Sequence, residues 1–194
     1  MLNSLLLKML NLEASSPRNK PVEIIKSLCI REGSAIADLG SGGGYFTLEF
    51  ARAVGSGGRV YAVDNQLKNL NFIERLADHE GLHNITFVLA TGDRMELPES
   101  GLDLVFARNV FHHLPEPPNC FRKLKRYLKP DGKAAIIEYK PKGGFNFVTM
   151  FKHFTPVGLI RSDMEKAGFL LVQSFDFLPR QTFGLFGITE GGTD

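Results

Sequence analysis

The stretch 36–47, Ile-Ala-Asp-Leu-Gly-Ser-Gly-Gly-Gly-Tyr-Phe-Thr, decides the fold of this chain. A short apolar run, Ala35 to Ala37, ends in Asp38, glycines follow at alternate positions, and an amphipathic segment begins at Tyr45. This pattern predicts a strand that runs through a glycine turn into the N-terminus of a helix. Because glycine has no Cβ and tolerates positive φ, such a turn lets a ligand approach the backbone closely.

The turn departs from the dinucleotide-binding fingerprint. A Gly-x-Gly-x-x-Gly sequence needs a small residue five places after its first glycine, where the helix packs on the strand. Counting from Gly40, that place holds Tyr45. The carboxylate of Asp38 would also face like charge in a pyrophosphate site, whereas it suits a ligand that carries an amino group and a sulfonium. The turn therefore disfavours a nicotinamide-dependent oxidoreductase.

Acids also follow the second and third predicted strands. A buried strand at 59–63 is followed by Asp64, and a third strand at 85–89 leads to Gly92-Asp93-Arg94. In a doubly wound sheet, ligands bind beyond the carboxyl ends of the strands, and an acid about 20 residues past the glycines accepts hydrogen bonds from a ribose. NAD enzymes share this acid, so Asp64 predicts a ribose without choosing the cofactor. The alternative is an Asp that caps the helix near Gln66.

The sequence Asp-x-Gly-x-Gly-x-Gly at 38–44 resembles motif I of the class I S-adenosylmethionine-dependent methyltransferases. The resemblance covers Ile36 to Gly168 and implies S-adenosylmethionine as the cofactor. It also implies that Asp93 faces the adenine exocyclic amine. Arg108 is placed to pair with the methionine carboxylate, with a surface ion pair as the alternative. The predicted cofactor residues are Asp38, Gly40, Ser41, Gly42, Gly44, Tyr45, Asp64, Asn65, Gln66, Gly92, Asp93, Arg94 and Arg108.

The remaining segments predict alternating helices and strands. Helices are expected at 21–30, 45–54, 67–79 and from Thr155-Pro156 to Gly168, where Thr155 is the expected N-cap and Pro156 the first helical residue. Further strands are expected at 102–107, 133–139, 169–178 and 182–189. The basic stretch 122–129 predicts the solvated face of a helix ahead of Pro130-Asp131-Gly132. The last two strands are joined by too few residues for a parallel crossover, so one of them must be antiparallel.

We therefore predict an α/β fold, a doubly wound three-layer sandwich with a seven-stranded, mostly parallel sheet. The resemblance implies the strand order 3-2-1-4-5-7-6, with strand 7 antiparallel. The 194 residues fit a single domain over 1–194, in which the N-terminal helices of 1–33 are a candidate lid.

Composition argues against several other classes of protein. The formal net charge of +2 is too small for a nucleic-acid footprint, and the two cysteines, Cys29 and Cys120, have no metal-ligand spacing. No apolar run approaches the ~20 residues that span a bilayer. Residues 1–12 predict an amphipathic helix rather than a signal peptide, so we expect a cytoplasmic protein without a metal, a nucleic-acid partner or a membrane span. The oligomeric state stays open, with a homodimer as one alternative.

Two histidines are the candidates for catalysis. Methyl transfer is a displacement at an electrophilic sulfonium, so a general base is needed only where the nucleophile starts protonated. His112 and His113 follow the fourth strand, on the side of the sheet where the methyl group is expected. The alternative is that they cap the next helix or pack beside Pro115. His153, after the fifth strand, is a further candidate with the same alternative. The hydroxyl of Tyr139 is a candidate for orienting the substrate, with a buried aromatic side chain as the alternative.

The acceptor is predicted to be a small hydrophobic or aromatic molecule. Residues 111–117 and 128–141 resemble the C-methyltransferases of menaquinone and ubiquinone biosynthesis. Residues 140–154 contain four phenylalanines where this fold shapes its acceptor pocket. Those phenylalanines equally suit a core or a dimer contact. The alternatives for function are a methyltransferase acting on a macromolecule and a non-catalytic S-adenosylmethionine-binding protein.

Overall fold

The computed structural model describes residues 2–92, 94–140 and 154–189 of the 194-residue chain. Three predicted features lie outside the described residues: Asp93, His153 and all but one of the phenylalanines of 140–154. The helices are α1 (Leu2–Ser15), α2 (Pro21–Ser27), α3 (Tyr45–Val54), α4 (Leu67–Glu80), α5 (Pro117–Lys125) and α6 (Val157–Lys166), with 3₁₀ turns at Pro17–Asn19 and Phe111–His113. The strands are β1 (Ala35–Leu39), β2 (Arg59–Asp64), β3 (Ile85–Leu89), β4 (Leu102–Arg108), β5 (Leu128–Tyr139), β6 (Phe169–Phe175) and β7 (Gln181–Ile188).

The strands form a seven-stranded sheet in the order β3-β2-β1-β4-β5-β7-β6. Strands β1 and β2, β2 and β3, and β4 and β5 pair in parallel, whereas β7 is antiparallel to both β5 and β6. Helices flank the sheet, and the predicted fold class is confirmed, including the antiparallel strand 7.

The chain divides into two compact units, Met1–Pro98 and Glu99–Asp194. The first unit has a core that includes the fully buried Ile36, Phe50 and Ile73. The second has its own core, in which the rings of Phe111 and Phe121 stack with their centroids 5.5 Å apart. Each fully buried side chain of this size contributes about 1.5–3 kcal/mol. The single domain over 1–194 stays a prediction.

The helix predicted from the glycine turn is found as α3, Tyr45–Val54, whereas other boundaries differ. Helix α2 ends at Ser27 rather than Ile30, because Cys29 adopts the left-handed conformation with φ +48°. Strand β6 ends at Phe175, short of the predicted Leu178. Strand β7 begins and ends one residue earlier than predicted.

The interpretation of residues 122–129 as one helical face is wrong at its C-terminal end. Helix α5 ends at Lys125, and Leu128 already begins β5. Between the pairs Leu102↔Leu128 and Leu104↔Lys133 the register shifts, so the Pro-Asp-Gly sequence lies within the span of β5 rather than before it. Tertiary pairing with β4 has overridden the local turn signal.

The predicted N-terminal cap of the last helix is also wrong, by one residue. Helix α6 begins at Val157, and Pro156 with ψ 138° occupies the cap position instead of Thr155. Because that ψ is extended, Pro156 is not the first helical residue, and its side chain offers no capping oxygen.

Candidate functional site

The glycine turn of the first unit joins the end of β1 to the start of α3. Gly40, Gly42 and Gly44 have φ of +71°, +55° and +86°, in the left-handed region that side chains rarely adopt. The amides of Gly40 and Ser41 both donate to the carbonyl of Val63, at 2.8 and 3.0 Å. The turn is therefore held against the end of β2.

Asp64, the last residue of β2, is buried and accepts three hydrogen bonds. Its Oδ2 accepts from the amide of Gly42 at 3.0 Å, and its Oδ1 accepts from the amide of Gln66 at 2.9 Å and from Nδ2 of Asn69 at 3.1 Å. A carboxylate offers about four acceptor sites. Asp64 thus links the glycine turn to α4. Asn65 and Gln66 are exposed beside it.

Two polar side chains of the turn region differ in their partners. The carboxylate of Asp38 is buried and accepts a hydrogen bond from the Thr47 hydroxyl at 2.6 Å. Ser41 is 9% exposed, and its Oγ has no hydrogen-bond partner among the described residues. A buried hydroxyl without a partner costs free energy that a polar ligand group can recover, so Ser41 fits a ligand site.

The end of β3 lies at the same edge of the sheet. Because β1, β2 and β3 are parallel, with Leu39 opposite Val63 and Asp64 opposite Leu89, their carboxyl ends meet there. After β3, the backbone amides and carbonyls of Thr91 and Arg94 pair across a tight turn. In that turn Gly92 has φ +64°, and both Gly92 and Arg94 are exposed. The first unit thus brings together every predicted cofactor residue that it contains and that the structure describes.

Sequence reasoning missed Asn11, which lies on α1. Its Nδ2 donates to the carbonyl of Gly43 at 2.7 Å, and its Oδ1 accepts from the amide of Tyr45 at 3.2 Å. The available signal was a polar residue on the same helical face as the buried Leu7 and Ala14, four before it and three after. Burial raises the pKa of the Tyr45 hydroxyl above its ordinary value, and the charge of Glu49 adds to the effect, so the hydroxyl remains a donor at neutral pH.

In the second unit, the two candidate histidines occupy different environments. The Nδ1 of His112 lies 2.9 Å from Oε2 of Glu138, a fully buried carboxylate at the end of β5. The backbone amide of His112 also approaches this oxygen, at 3.3 Å. His113 is exposed, with its ring centroid 4.0 Å from that of His112. His112 is therefore paired with a buried acid.

Arg108, at the end of β4, belongs to a second polar cluster of this unit. Its Nη2 lies 3.5 Å from Oε1 of Gln181, and Nε2 of that buried glutamine donates to Oδ1 of Asn109 at 2.7 Å. Asn109 has φ +55°, a conformation that asparagine tolerates better than most residues. The structure thus gives Arg108 an internal polar partner, and its predicted contact with the cofactor stays a prediction.

Neither a metal-binding cluster nor a membrane-spanning helix occurs within 2–92, 94–140 and 154–189. These ranges contain no group of three or more His, Cys, Asp or Glu side chains arranged to hold a metal ion. None of their helices is long and apolar enough to cross a bilayer.

Comparisons with known proteins place these features in a family context. A family model described as "Methyltransferase domain" matches residues 30–176. The ubiquinone/menaquinone biosynthesis C-methyltransferase UbiE of Azotobacter vinelandii is 28% identical over 111 residues, which are 57% of this chain and 44% of that protein. The chain thus matches less than half the length of this curated relative.

Solved structures share the fold. A methyltransferase from Aquifex aeolicus, described as SAM-dependent, has a TM-score of 0.85 at 23% identity and covers 96% of this chain and 98% of its own. The [4+2]-cyclase SpnF has a TM-score of 0.70 at 19% identity and covers 84% of this chain and 60% of its own. At such identities the likeness concerns the fold alone.

The resemblance inferred from the glycine turn at 38–44 is confirmed by these matches. The family match runs from the segment before β1 through the end of β6 and so contains the turn, Asp64, His112 and Glu138. Because the methyltransferase-domain model covers residues 30–176 of the 194, the chain belongs to the methyltransferase domain family.

Proposed function

We propose that this chain is an S-adenosylmethionine-dependent methyltransferase. The observation that carries the proposal is the edge of the first unit where the glycine turn, with three left-handed glycines, lies against the buried carboxylate of Asp64. Family membership supports the same reaction. Since the chain matches less than half of its curated relative, the activity is proposed for the chain and not transferred from that protein.

The residues of this edge have the chemistry that the cofactor requires. The turn exposes no side chain at its three left-handed glycines, so the methionine end can lie against the backbone. The hydroxyl of Ser41 would gain the partner that it lacks in the described residues. Asp64 would receive the ribose hydroxyls on its remaining acceptor sites. The role of Asp93 toward the adenine remains a prediction.

We propose that the methyl acceptor is a small, largely apolar molecule. The support is the similarity to a protein named for quinone biosynthesis and a formal charge of +2, too small for a nucleic-acid footprint. A macromolecular acceptor remains the alternative. The other alternative is a protein that binds S-adenosylmethionine without transferring its methyl group. Since a protein named as a cyclase shares the fold, turnover has to be tested directly.

In such a transfer the chain's main task is alignment. Held by the glycine turn and Asp64, S-adenosylmethionine would supply an electrophilic methyl group, to which the acceptor's electron pair would bond as the carbon–sulfur pair passed to sulfur. Holding acceptor and methyl group in line saves entropy worth about 7–11 kcal/mol. Where the acceptor carries an acidic proton, we assign the proton to His112, because Glu138 lies 2.9 Å from its Nδ1 and stabilises the imidazolium that forms.

Calorimetry with S-adenosylhomocysteine and NAD tests the cofactor assignment. We expect the wild type to bind S-adenosylhomocysteine and not NAD, and Asp64→Ala to lose about 1–3 kcal/mol of binding free energy because ribose hydroxyls lose a buried acceptor. Asp78→Ala, which removes an exposed acid of α4, is the control and should bind normally. Tight NAD binding, or an unchanged affinity in the Asp64 variant, would overturn the assignment.

Labelled cofactor tests the acceptor class. Phenols, quinols and other hydrophobic acceptors are incubated with the protein and methyl-labelled S-adenosylmethionine, and a lysate is separated into small-molecule and macromolecular fractions. We expect label in the small-molecule products. Label in RNA or protein alone would show that the acceptor is a macromolecule.

A further inference from the structure

Helix α1 makes a specific polar contact with the glycine turn. The helix packs against α3 and α4 of the first unit, with Leu7 buried in the contact. From this docked helix, the amide group of Asn11 reaches the turn with both its donor and its acceptor. One asparagine therefore holds two backbone groups, the carbonyl of Gly43 and the amide of Tyr45.

The contact with Tyr45 does the work of a helix cap. Tyr45 is the first residue of α3, and the preceding Gly44 has no side chain to accept a hydrogen bond from the first turn. Capping oxygens at such ends typically contribute about 1 kcal/mol. Here the oxygen comes from another helix, so the start of α3 depends on α1 being docked.

The space around Gly43 shows how closely α1 approaches the turn. A Cβ at this position would lie 2.3 Å from Oδ1 of Asn11 and 2.6 Å from the carbonyl oxygen of Leu7. Neither distance is compatible with a side chain while the helix is docked. Glycine at position 43 is thus explained by the helix above it, whereas its neighbours Gly42 and Gly44 are explained by their own positive φ.

The turn is consequently held from two sides. On one side the amide of Gly42 donates to Asp64, and on the other the carbonyl of Gly43 accepts from Asn11. These two contacts fix the orientation of the peptide groups 41–42 and 43–44 in the segment that would face the cofactor. Loss of either one frees the turn to rotate at residues whose conformational freedom is the largest of any.

We infer that Asn11 is a positioning residue through which α1 holds the glycine turn in its cofactor-binding conformation. The inference rests on the proposed function and adds to it that α1 docking and cofactor binding are coupled. Such coupling is reciprocal: if docking of α1 strengthens cofactor binding, the bound cofactor must strengthen docking of α1 by the same factor. A merely structural residue would not show this reciprocity.

Calorimetry with S-adenosylhomocysteine gives the first half of the test. Asn11→Ala should weaken binding about tenfold, and Asn11→Asp less, because the aspartate keeps an acceptor for Tyr45 and loses the donor to Gly43. Ser15→Ala is the matched control, since the Ser15 hydroxyl bonds only within α1, to the carbonyl of Leu12 at 3.3 Å. It should bind within about twofold of the wild type.

Hydrogen exchange gives the second half. Bound S-adenosylhomocysteine should slow amide exchange in peptides of α1 in the wild type and in Ser15→Ala. In Asn11→Ala the ligand should slow this exchange much less. If Asn11→Ala does not fold, Gly43→Ala tests the same contact from the turn and should show the same loss.

The outcomes separate the two proposals. A wild type that binds no S-adenosylhomocysteine overturns the proposed function and the coupling with it. A wild type that binds normally, while Asn11→Ala keeps its affinity or α1 exchanges at the same rate with and without the ligand, overturns the coupling alone.

Discussion

Ser41 and Thr47 both carry buried hydroxyls but differ in what these hydroxyls contact. The Thr47 hydroxyl donates to Asp38 at 2.6 Å, whereas the Ser41 hydroxyl has no partner among the described residues. In the ligand-free protein, the Thr47 hydroxyl therefore contributes to the free energy of unfolding through its hydrogen bond, and the Ser41 hydroxyl does not. This difference separates a residue kept for stability from one that suits a ligand.

Substitution of the two hydroxyls should have opposite consequences. Ser41→Ala should leave the free energy of unfolding unchanged or slightly higher, since it removes an unsatisfied polar group, and should weaken S-adenosylhomocysteine binding by about 1 kcal/mol. Thr47→Val should lower the free energy of unfolding by about 1–3 kcal/mol, because it leaves the buried Asp38 short of a donor. Urea denaturation and calorimetry measure both. If Ser41→Ala is clearly destabilised and binds S-adenosylhomocysteine normally, the role of Ser41 is to stabilise the fold and not to bind the ligand.

His112 and His113 are adjacent in sequence, and the structure places Nδ1 of His112 2.9 Å from the buried carboxylate of Glu138. His112→Ala should lower turnover by about 10²–10⁴-fold if the imidazole takes a proton from the acceptor. Glu138→Gln should lower turnover less, because it keeps the shape of the side chain and removes the charge that stabilises the imidazolium.

His113→Ala is the control for the histidine substitutions, since its side chain is exposed. Neither this control nor the two variants should change S-adenosylhomocysteine affinity, which separates catalysis from cofactor binding. Near-normal turnover in His112→Ala would leave alignment as the whole mechanism.

Among the elements, β5 shows how a close approach of backbones selects glycine. A Cβ on Gly132 would lie 2.9 Å from the carbonyl oxygens of both Leu102 and Lys129. This crowding occurs where the register with β4 shifts, between the pairs made by Leu102 and Leu104. Position 132 therefore excludes residues larger than glycine because backbone atoms lie close to it, and not because of an unusual φ.

Alanine substitutions at two glycines should consequently differ in sign. Gly132→Ala should lower the free energy of unfolding by about 1–3 kcal/mol, since backbone atoms must move to admit the methyl group. Gly158→Ala should raise it by about 0.4–1 kcal/mol, because this glycine lies in α6 with nothing within 4 Å of an added Cβ. Thermal unfolding followed by circular dichroism compares them. A tolerated Gly132→Ala would show that the strand rearranges freely at the shift.

The same elements show why some features were predictable from the sequence. The turn at 38–44 and helix α3 depend on local chemistry, glycines with positive φ and an amphipathic repeat, and both were predicted where they occur. The start of β5 and the role of Asn11 depend on partners distant in sequence, β4 and the glycine turn. No local pattern encodes such partners, so the prediction placed Leu128 in a helix and left Asn11 out of the site.

For the whole molecule, the open question is whether the two compact units unfold together. The chain divides between Pro98 and Glu99, whereas its length predicted one domain over 1–194. The described cofactor candidates lie in the first unit, apart from Arg108. A bound ligand at 100 times its dissociation constant stabilises the structure that binds it by about 2.7 kcal/mol. A probe in the second unit therefore reports whether that stabilisation is shared.

Cys120 is such a probe. Burial raises the pKa of its thiol to about 11, so at pH 8 only about one thiol in a thousand is a reactive thiolate, far fewer than in the unfolded chain. In moderate urea, S-adenosylhomocysteine should slow the alkylation of Cys120 by roughly the same factor by which it lowers the unfolded fraction, if 1–194 unfolds as one domain. Cys29, which is exposed, should react at the same rate with and without ligand and serves as the internal control by mass spectrometry. The opposite result is a Cys120 alkylation rate that is the same with and without ligand, while circular dichroism shows that the ligand stabilises part of the chain. That result would mean that Met1–Pro98 and Glu99–Asp194 unfold separately.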